Sequence, residues 1–508
     1  MKETKLGKII NDLSNIRYNK KDKLVICYGH FNVIHPGHIQ YLEFAKKFGN
    51  FLILAVKQTN TEHKNNGNYF SLEQRCKGVS SLDIVDGVIP LYNYDIHKII
   101  TEIEPEFFVL GKEHENTEEK ILQKAIHSLK HKKGRMVFYT GSFKSSTSGY
   151  LFDDISNIKN ERIKTFVSSC KSQNIKVENM LGKIDTFSSS SILVIGDTIV
   201  DQYIDCNALG MSSEAPVIVV QEKESKGFLG GAAIVASHIK SLGANCKYLS
   251  VAGDDHVRSF VERELNKQDI NNFIIKDNER PTTYKTRYLV DNQKVFRVSR
   301  LNENNISKSL EEEIISKIEK EISTIQGLLI SDFVYGVITK RVLEHVIYLA
   351  KKHKKLLFGD LQCSSQVGYI TKFLDFDLIC PTEKEARIAL KAKEFGIEWI
   401  SNQTLEKTRS KNLVMKLGAE GFISYETKKD GFVNRQYFPA LNVTPLDVTG
   451  AGDSLIAGMA VGLTSGLSLM ESSALGAIIS SIAVQNMGNL PVRKKQIIEY
   501  LEGIKNYE

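Results

Sequence analysis

The chain has 508 residues, 42% hydrophobic and 25% charged, which is too long for one core and ordinary for two or three folded domains. Its net charge of +7 is spread along the chain, which argues against a nucleic-acid binder, whose Lys and Arg gather on one stripe, and leaves phosphate-bearing small ligands open. Seven scattered cysteines (27, 76, 170, 206, 246, 363 and 380) with no Cys-x-x-Cys pair exclude a disulfide framework and a cysteine zinc site, and the lack of a signal-type or membrane-length apolar segment points to the cytoplasm.

In chain order, residues 5–16 read as a short amphipathic helix. Lys23–Tyr28 is a buried strand that runs into a His-containing loop and a helix from about Gly37 to Phe48. Strands follow at Phe51–Val56, Gly87–Leu91 and Phe107–Leu110, alternating with helices over roughly 71–82 and 95–103. Alternating apolar strands and helices predict a parallel sheet covered on both faces. This first domain, residues 1–150, closes after Met136–Tyr139 and the Ser/Thr-rich Ser145–Ser148.

Residues 151–189 are Lys-rich and helical in period, and read as a helical linker. A second α/β domain, 190–508, opens on Ile192–Asp197. Pro216–Val220 and a hairpin over Tyr284–Val298 break its alternation and predict a small projecting sheet. Alternation resumes with strands near 327–331, 355–359, 377–380, 412–416 and 421–425. No internal repeat is evident.

Two loops carry chemistry. In Gly29-His30-Phe31-Asn32-Val33-Ile34-His35-Pro36-Gly37-His38, His35 and His38 stand three apart at a helix start, so both imidazoles face one side of the first turn. Beside the free N–H groups and positive end of that helix they suit an α-phosphate under attack, with pyrophosphate leaving. The blander alternative is a helix cap plus an incidental histidine. A zinc site is disfavoured, since neither Cys nor carboxylate accompanies the pair. Near the other end stands Asp447-Val448-Thr449-Gly450-Ala451-Gly452-Asp453. Small residues there let backbone N–H groups approach a transferring phosphate, and Asp453 at the helix start can take the proton of an attacking hydroxyl. It is not a Walker A loop, because no Gly-Lys-Ser/Thr follows. Here the blander alternative is a glycine turn capped by Asp453.

On these residues, with Ala45-Lys46, Ser71–Arg75, Val109–Gly111 and Ser145–Thr147, the first domain resembles the cytidylyltransferase-like nucleotidyltransferases, among them the adenylyltransferase half of ADP-heptose synthases. The resemblance implies a Rossmann-like sheet, His35 and His38 as catalytic groups, and Gly29, Phe31, Asn32, Lys46, Arg75, Ser146 and Thr147 at nucleotide or phosphate. Asn32 replaces the usual Asp, and Lys112-Glu113 the usual Gly/Asp pair. The donor stays open between CTP and ATP.

The second domain resembles the ribokinase-like (PfkB) carbohydrate kinases through Val194–Asp197 with Asp201, Ser213–Val217, Gly230–Ala233, Ser241–Ala244, Ser331–Phe333 and Leu417–Gly421, besides the Asp453 loop. That implies a three-layer α/β fold with a small β lid, Asp453 as base, and Glu385, Gly418, Thr449, Gly450, Ala451 and Gly452 around ATP. It further implies Asp201, Gly230 and Gly231 at the acceptor, with Lys285, Arg287 and Arg297 on the lid. Mg²⁺ enters through the phosphates, no direct metal motif being present, and a homodimer forms through the lid. Ile234, Tyr335, Gln362 and Thr382 depart from the family pattern. Two functions follow. One is a bifunctional enzyme that phosphorylates a sugar or sugar phosphate, heptose-like and at C1, then joins the sugar 1-phosphate to a nucleotide. The other is a nucleotidyltransferase alone, its kinase-like half retained for binding or dimerisation.

Overall fold

The computed structural model describes residues 23–32, 34, 36–58, 70–92, 96–111, 114, 119–131, 134–139, 155–215, 217–291, 293–363, 367–392, 394–427, 433–505 and 507. The expected helix over 5–16 lies outside them. The chain divides into two compact units, residues 1–158 with 392–402, and residues 159–391 with 403–508. Among the described residues no helix is long and apolar enough to cross a membrane.

The first unit is a five-stranded parallel sheet in the order β3-β2-β1-β4-β5. Its strands are β1 (Leu24–Gly29), β2 (Phe51–Lys57), β3 (Gly87–Leu91), β4 (Phe107–Gly111) and β5 (Arg135–Tyr139). Helices α1 (Pro36–Lys46), α2 (Leu72–Ser80), α3 (Ile96–Ile103) and α4 (Lys120–His131) connect them. The period of two along β1 makes both cores: Leu24, Ile26 and Tyr28 pack with Ile99 and Leu122, whereas Val25 and Cys27 pack with Leu42 and Val79. Ser71 starts α2 with a capping box, its Oγ accepting the Gln74 N–H at 3.2 Å while Gln74 Oε1 accepts the Ser71 N–H at 2.9 Å.

The second unit has a nine-stranded sheet in the order β10-β9-β6-β13-β14-β15-β16-β17-β18 and a separate four-stranded sheet in the order β12-β11-β7-β8. The small sheet is built from β7 (Thr198–Met211), β8 (Ile218–Gly231), β11 (Thr283–Val290) and β12 (Gln293–Arg300). The main sheet comprises β6 (Ser191–Gly196), β9 (Asn245–Gly253), β10 (Asn271–Asp277), β13 (Gly327–Asp332), β14 (Leu356–Leu361), β15 (Leu378–Ile379), β16 (Asn412–Lys416), β17 (Gly421–Thr427) and β18 (Val433–Pro439). It is parallel as far as β16 and antiparallel beyond. The projecting sheet predicted from two stretches is therefore present, and it has a further long strand, β7, that the pattern of the chain did not reveal. The outer half of β7 is exposed and mixes Asn, Gly and Asp with apolar residues, so it lacks the signature of a buried strand.

The stretch read as a linker is helical and packed rather than connecting. Helices α5 (Ile155–Ser172) and α6 (Val177–Ile184) supply Phe166, Val167, Met180 and Ile184 to the core of the second unit. That core also takes α7 (Ala232–Ser241), α8 (Ala451–Thr464) and α9 (Leu469–Ala483). Helices α8 and α9 are almost wholly buried, and their Gly, Ala and Ser content lets them approach closely: a Cβ at Gly458 would lie 2.5 Å from Ile479 Cδ1.

Candidate functional site

In the first unit, β1 delivers the loop to the C-terminal edge of the sheet, where α1 begins. Gly29 is favoured there, because a Cβ would stand 3.0 Å from the Phe31 ring. Phe31 takes a positive φ of 47° and is buried. Its ring packs against His38, with centroids 4.9 Å apart, and stacks on Tyr41 at 6.3 Å. His38 is thus fixed by a ring contact on the first turn of α1, and Asn32 is half-buried in the same loop. Arg75, from α2, is buried, and its Nη1 donates to the carbonyl of Lys57 at 3.0 Å and to that of His30. It braces two strand ends and is not an open phosphate ligand at that nitrogen. His35, Ser146 and Thr147 lie outside the described residues.

Lys46 is not brought to this loop. It ends α1, eight residues beyond His38 or about 12 Å along the helix. It pairs there with Asp86, whose Oδ2 also accepts the Leu52 N–H at the opposite strand edge, at 2.6 Å. Among the described residues, the lysine at the C-terminal edge is Lys57, at the end of β2, paired with Glu119 at 3.1 Å and lying 5.8 Å over the Tyr28 ring. A lysine closing an otherwise apolar strand was the signal for it.

In the second unit, Gly450 (φ 80°) turns the chain into α8, leaving the first N–H groups of that helix unpaired within it. Asp453 sits on this first turn, buried. Gln362 Nε2 donates to Asp453 Oδ1 at 2.6 Å and to Asp360 Oδ2 at 2.9 Å, and Lys416 Nζ donates to Asp360 Oδ1 at 2.7 Å. Burial first, then the neighbouring Asp360 carboxylate, push the Asp453 carboxyl up to about 7, against the opposing pull of Lys416 and Gln362. Burial likewise raises Asp360. Lys416 is raised despite its burial, by Asp360 and Glu385. Glu385 is held by a capping box with Thr382, its Oε2 accepting the Thr382 N–H at 2.8 Å, while its Oε1 accepts the Cys363 N–H at 3.2 Å. Thr382 therefore performs a helix-capping task. Gly418 starts the turn after β16 with φ 62°.

Of the residues expected at the acceptor, Gly230 and Arg287 gather around Asp201 on β7. Arg287 forms an ion pair with it, and Asn489 Nδ2 donates to its Oδ2 at 3.0 Å. Gly230 must be glycine, since a Cβ would lie 2.5 Å from Asp201 Oδ2. Gly231 has φ 57°. Lys285 is buried with its ammonium 5.7 Å over Phe333 and 5.1 Å over Tyr335. Arg297 is exposed on β12 and is not drawn into this cluster.

Asp447 ties the small sheet to the Thr449–Gly452 loop. It accepts from Tyr203 Oη at 2.7 Å, Lys294 Nζ at 2.8 Å, the Thr449 N–H at 3.0 Å and the Gly488 N–H at 3.2 Å. Burial would raise its carboxyl, but these donors, Lys294 foremost, hold it at about 2. Lys294 also reaches Thr449 Oγ1 at 2.9 Å. Lys294, Lys416 and Asn489 were missed by sequence reasoning. Lys416 had a signal, a lone charge closing the apolar run Leu413-Val414-Met415; the other two had none.

Comparison with known proteins agrees with this division. Residues 26–174 match the cytidylyltransferase-like family and residues 189–494 the pfkB family carbohydrate kinases. The bifunctional protein HldE of Campylobacter jejuni serotype O:6 is 32% identical over 331 residues, covering 62% of this chain and 67% of that protein. HldE of Helicobacter hepaticus is 29% identical over 320 residues, covering 62% and 64%. The chain thus spans about two thirds of the length of these relatives. Among solved structures, phosphofructokinase-2 of Escherichia coli (16% identity, 62% of this chain, 98% of that one) and ribokinase of Giardia lamblia (15%, 62% and 99%) each superpose with a TM-score of 0.50, which speaks for the fold alone. The N-terminal unit is accordingly a Rossmann-like α/β domain, the C-terminal unit has the ribokinase-like α/β fold, and the chain belongs to the pfkB family of carbohydrate kinases.

Proposed function

We propose that the protein activates a sugar in two steps. The pfkB unit transfers the γ-phosphoryl of ATP to a hydroxyl of a sugar or sugar phosphate, heptose-like and at C1. The N-terminal unit then joins the sugar 1-phosphate to the α-phosphate of CTP or ATP and releases pyrophosphate. The observation that carries this is the Asp453 carboxyl, buried at the start of α8, poised at about 7 and held by Gln362 beside Gly450–Gly452. A base that titrates near the working pH is what proton abstraction from a hydroxyl requires. As the acceptor oxygen bonds to the γ-phosphorus, the bond to ADP breaks and the proton passes to Asp453. Thr449, Gly450, Ala451 and Gly452 cradle the phosphates, Gly418 and Glu385 border the nucleotide, and Asp201, Gly230, Gly231, Lys285 and Arg287 receive the acceptor. Asp360 pairs with the ammonium of Lys416, Glu385 and Asp453 act on that ammonium electrostatically, and Mg²⁺ would enter bound to the triphosphate, where it would neutralise phosphate oxygens.

In the N-terminal unit His35 and His38 donate to the α-phosphate and the departing pyrophosphate. Gly29, Phe31 and Asn32 shape that loop, and Arg75 acts by holding it. Ser146 and Thr147 are assigned to phosphate binding. The small sheet of the pfkB unit exposes Leu209, Met211, Ile218, Phe296 and Val298, an apolar set that suits a second copy and hence a homodimer through the lid. Seven cysteines, all free, accord with the cytoplasm.

The test is ADP release from ATP over a panel of sugars and sugar phosphates, alongside pyrophosphate release from sugar 1-phosphates with CTP and ATP. Asp453→Asn should abolish only the first and His38→Ala only the second. Pyrophosphate release with no ADP from any acceptor would leave the nucleotidyltransferase alone and reduce the pfkB unit to a binding module.

A further inference from the structure

Asn489 follows α9 and lies between the acceptor side and the phosphate side of the pfkB unit. It is 7% exposed. Its orientation is settled by chemistry, because the Asp201 carboxylate only accepts, so the amide nitrogen must face it. The carboxamide oxygen is thereby turned the other way. That oxygen is buried and has no hydrogen-bond partner. It stands against the cradle, where a Cβ on Gly450 would be 2.6 Å from it, and Asp453 Oδ2 is 4.0 Å from the same point. A buried carbonyl oxygen with no donor is uncommon in folded proteins and calls for a donor that the surrounding chain does not supply. Glycine is needed at 450, since any side chain there would collide with this oxygen.

We infer that Asn489 Oδ1 accepts a hydrogen bond from a second hydroxyl of the acceptor, adjacent to the one that is phosphorylated, so that the site selects a vicinal diol. The inference rests on the kinase reading above. The attacking hydroxyl has a single proton, which goes to Asp453 as the new O–P bond forms and the bond to ADP breaks, so it cannot also satisfy Asn489. A neighbouring hydroxyl can, and its proton stays on its own oxygen throughout. Asp201, fixed by Arg287 and by the Asn489 amide, sets the direction in which that oxygen points. Asn489 is thus a specificity-determining residue that binds the acceptor and takes no part in proton transfer.

The test compares an accepted sugar or sugar phosphate with its analogue lacking the hydroxyl next to the phosphorylated carbon, at saturating MgATP, in the wild-type chain, Asn489→Leu and Asn489→Thr. The wild type should use the deoxy analogue at least about tenfold less efficiently in kcat/KM, the penalty expected when a site built to bind a hydroxyl finds none. In Asn489→Leu the two acceptors should come within about twofold of each other, the discriminating bond having been removed. Asn489→Thr keeps an oxygen acceptor and should retain part of the discrimination. The ratio of the two acceptors, rather than the absolute rate, separates this role from a merely structural one, and the pyrophosphate-releasing activity of the same preparations should not move. A wild type that uses both acceptors equally, or an Asn489→Leu that keeps the full preference, overturns the assignment while leaving the kinase reading intact. A wild type that makes no ADP with any sugar or sugar phosphate overturns the kinase reading, and the inference falls with it.

Discussion

Replacing Asp453 by Asn should damage activity and strengthen the fold, and the two effects have one origin. The Asp453 carboxyl titrates at about 7 in the folded protein and at 3.8 as an ordinary aspartate. Folding therefore favours its protonated form. The stability this group contributes is complete below pH 3.8 and is lost as pH rises through 7, because the unfolded chain then releases its proton more readily than the folded one. The gap corresponds to about 4 kcal/mol at full ionisation. The amide that Asp453→Asn introduces carries no charge at any pH, so the variant escapes that cost. Its stability relative to wild type should be unchanged near pH 4 and should grow towards a ceiling of about 4 kcal/mol above pH 7. In the same preparation ADP release should fall by a factor of about 100 to 10,000, since no base remains to take the proton. Wild-type ADP release should itself rise with pH through about 7 as the base ionises. Scanning calorimetry of both proteins from about pH 5 to about pH 8.5, spanning the range over which the folded group ionises, with a coupled ADP assay, measures both arms. A stability difference that does not change with pH would refute the argument that burial sets the state of this carboxylate.

Other outcomes follow from the same geometry. Lys416→Met leaves Asp360 buried without its cation and should cost about 3–5 kcal/mol by calorimetry. It should also move the acid limb of kinase activity to higher pH, because Lys416 holds the Asp453 carboxyl down. His38→Ala should lower pyrophosphate release about 100-fold to 1,000-fold and leave ADP release unchanged. Gly450→Ala places a methyl group 2.6 Å from Asn489 Oδ1 at a φ of 80°; a melting-temperature loss corresponding to about 1–3 kcal/mol and a fall in kinase kcat should appear together. Phe296→Glu, on the exposed face of β12, should halve the mass seen by light scattering.

Much of the fold was legible because its signals are local. The apolar runs of β1 and β2 and the alternation with α1, α2 and α3 need only neighbouring residues to be recognised. Both loops were legible for the same reason, their glycines, histidines and aspartate being consecutive. What failed was local too. The 14-residue β7 carries polar residues on a lid with one side in water, so it lacks a buried strand's pattern. Helices α5 and α6 were charged enough to pass for a linker, although Phe166 and Met180 point into a core. Lys46 looked well placed beside the loop, yet eleven residues of helix carry it to the far edge of the sheet.

The amino-acid sequence by itself determined that the chain is two α/β units, each with a glycine-containing loop at a helix start. Only the tertiary structure decided which scattered charges meet at those loops. Asp201 and Asn489 are 288 residues apart, and Lys416 and Asp360 are 56 apart. Such pairs depend on sheet order and on how closely helices pack, neither of which has a period that can be read along the chain. The same packing excludes water from Asp453 and so sets the protonation of the group on which the proposed phosphoryl transfer depends.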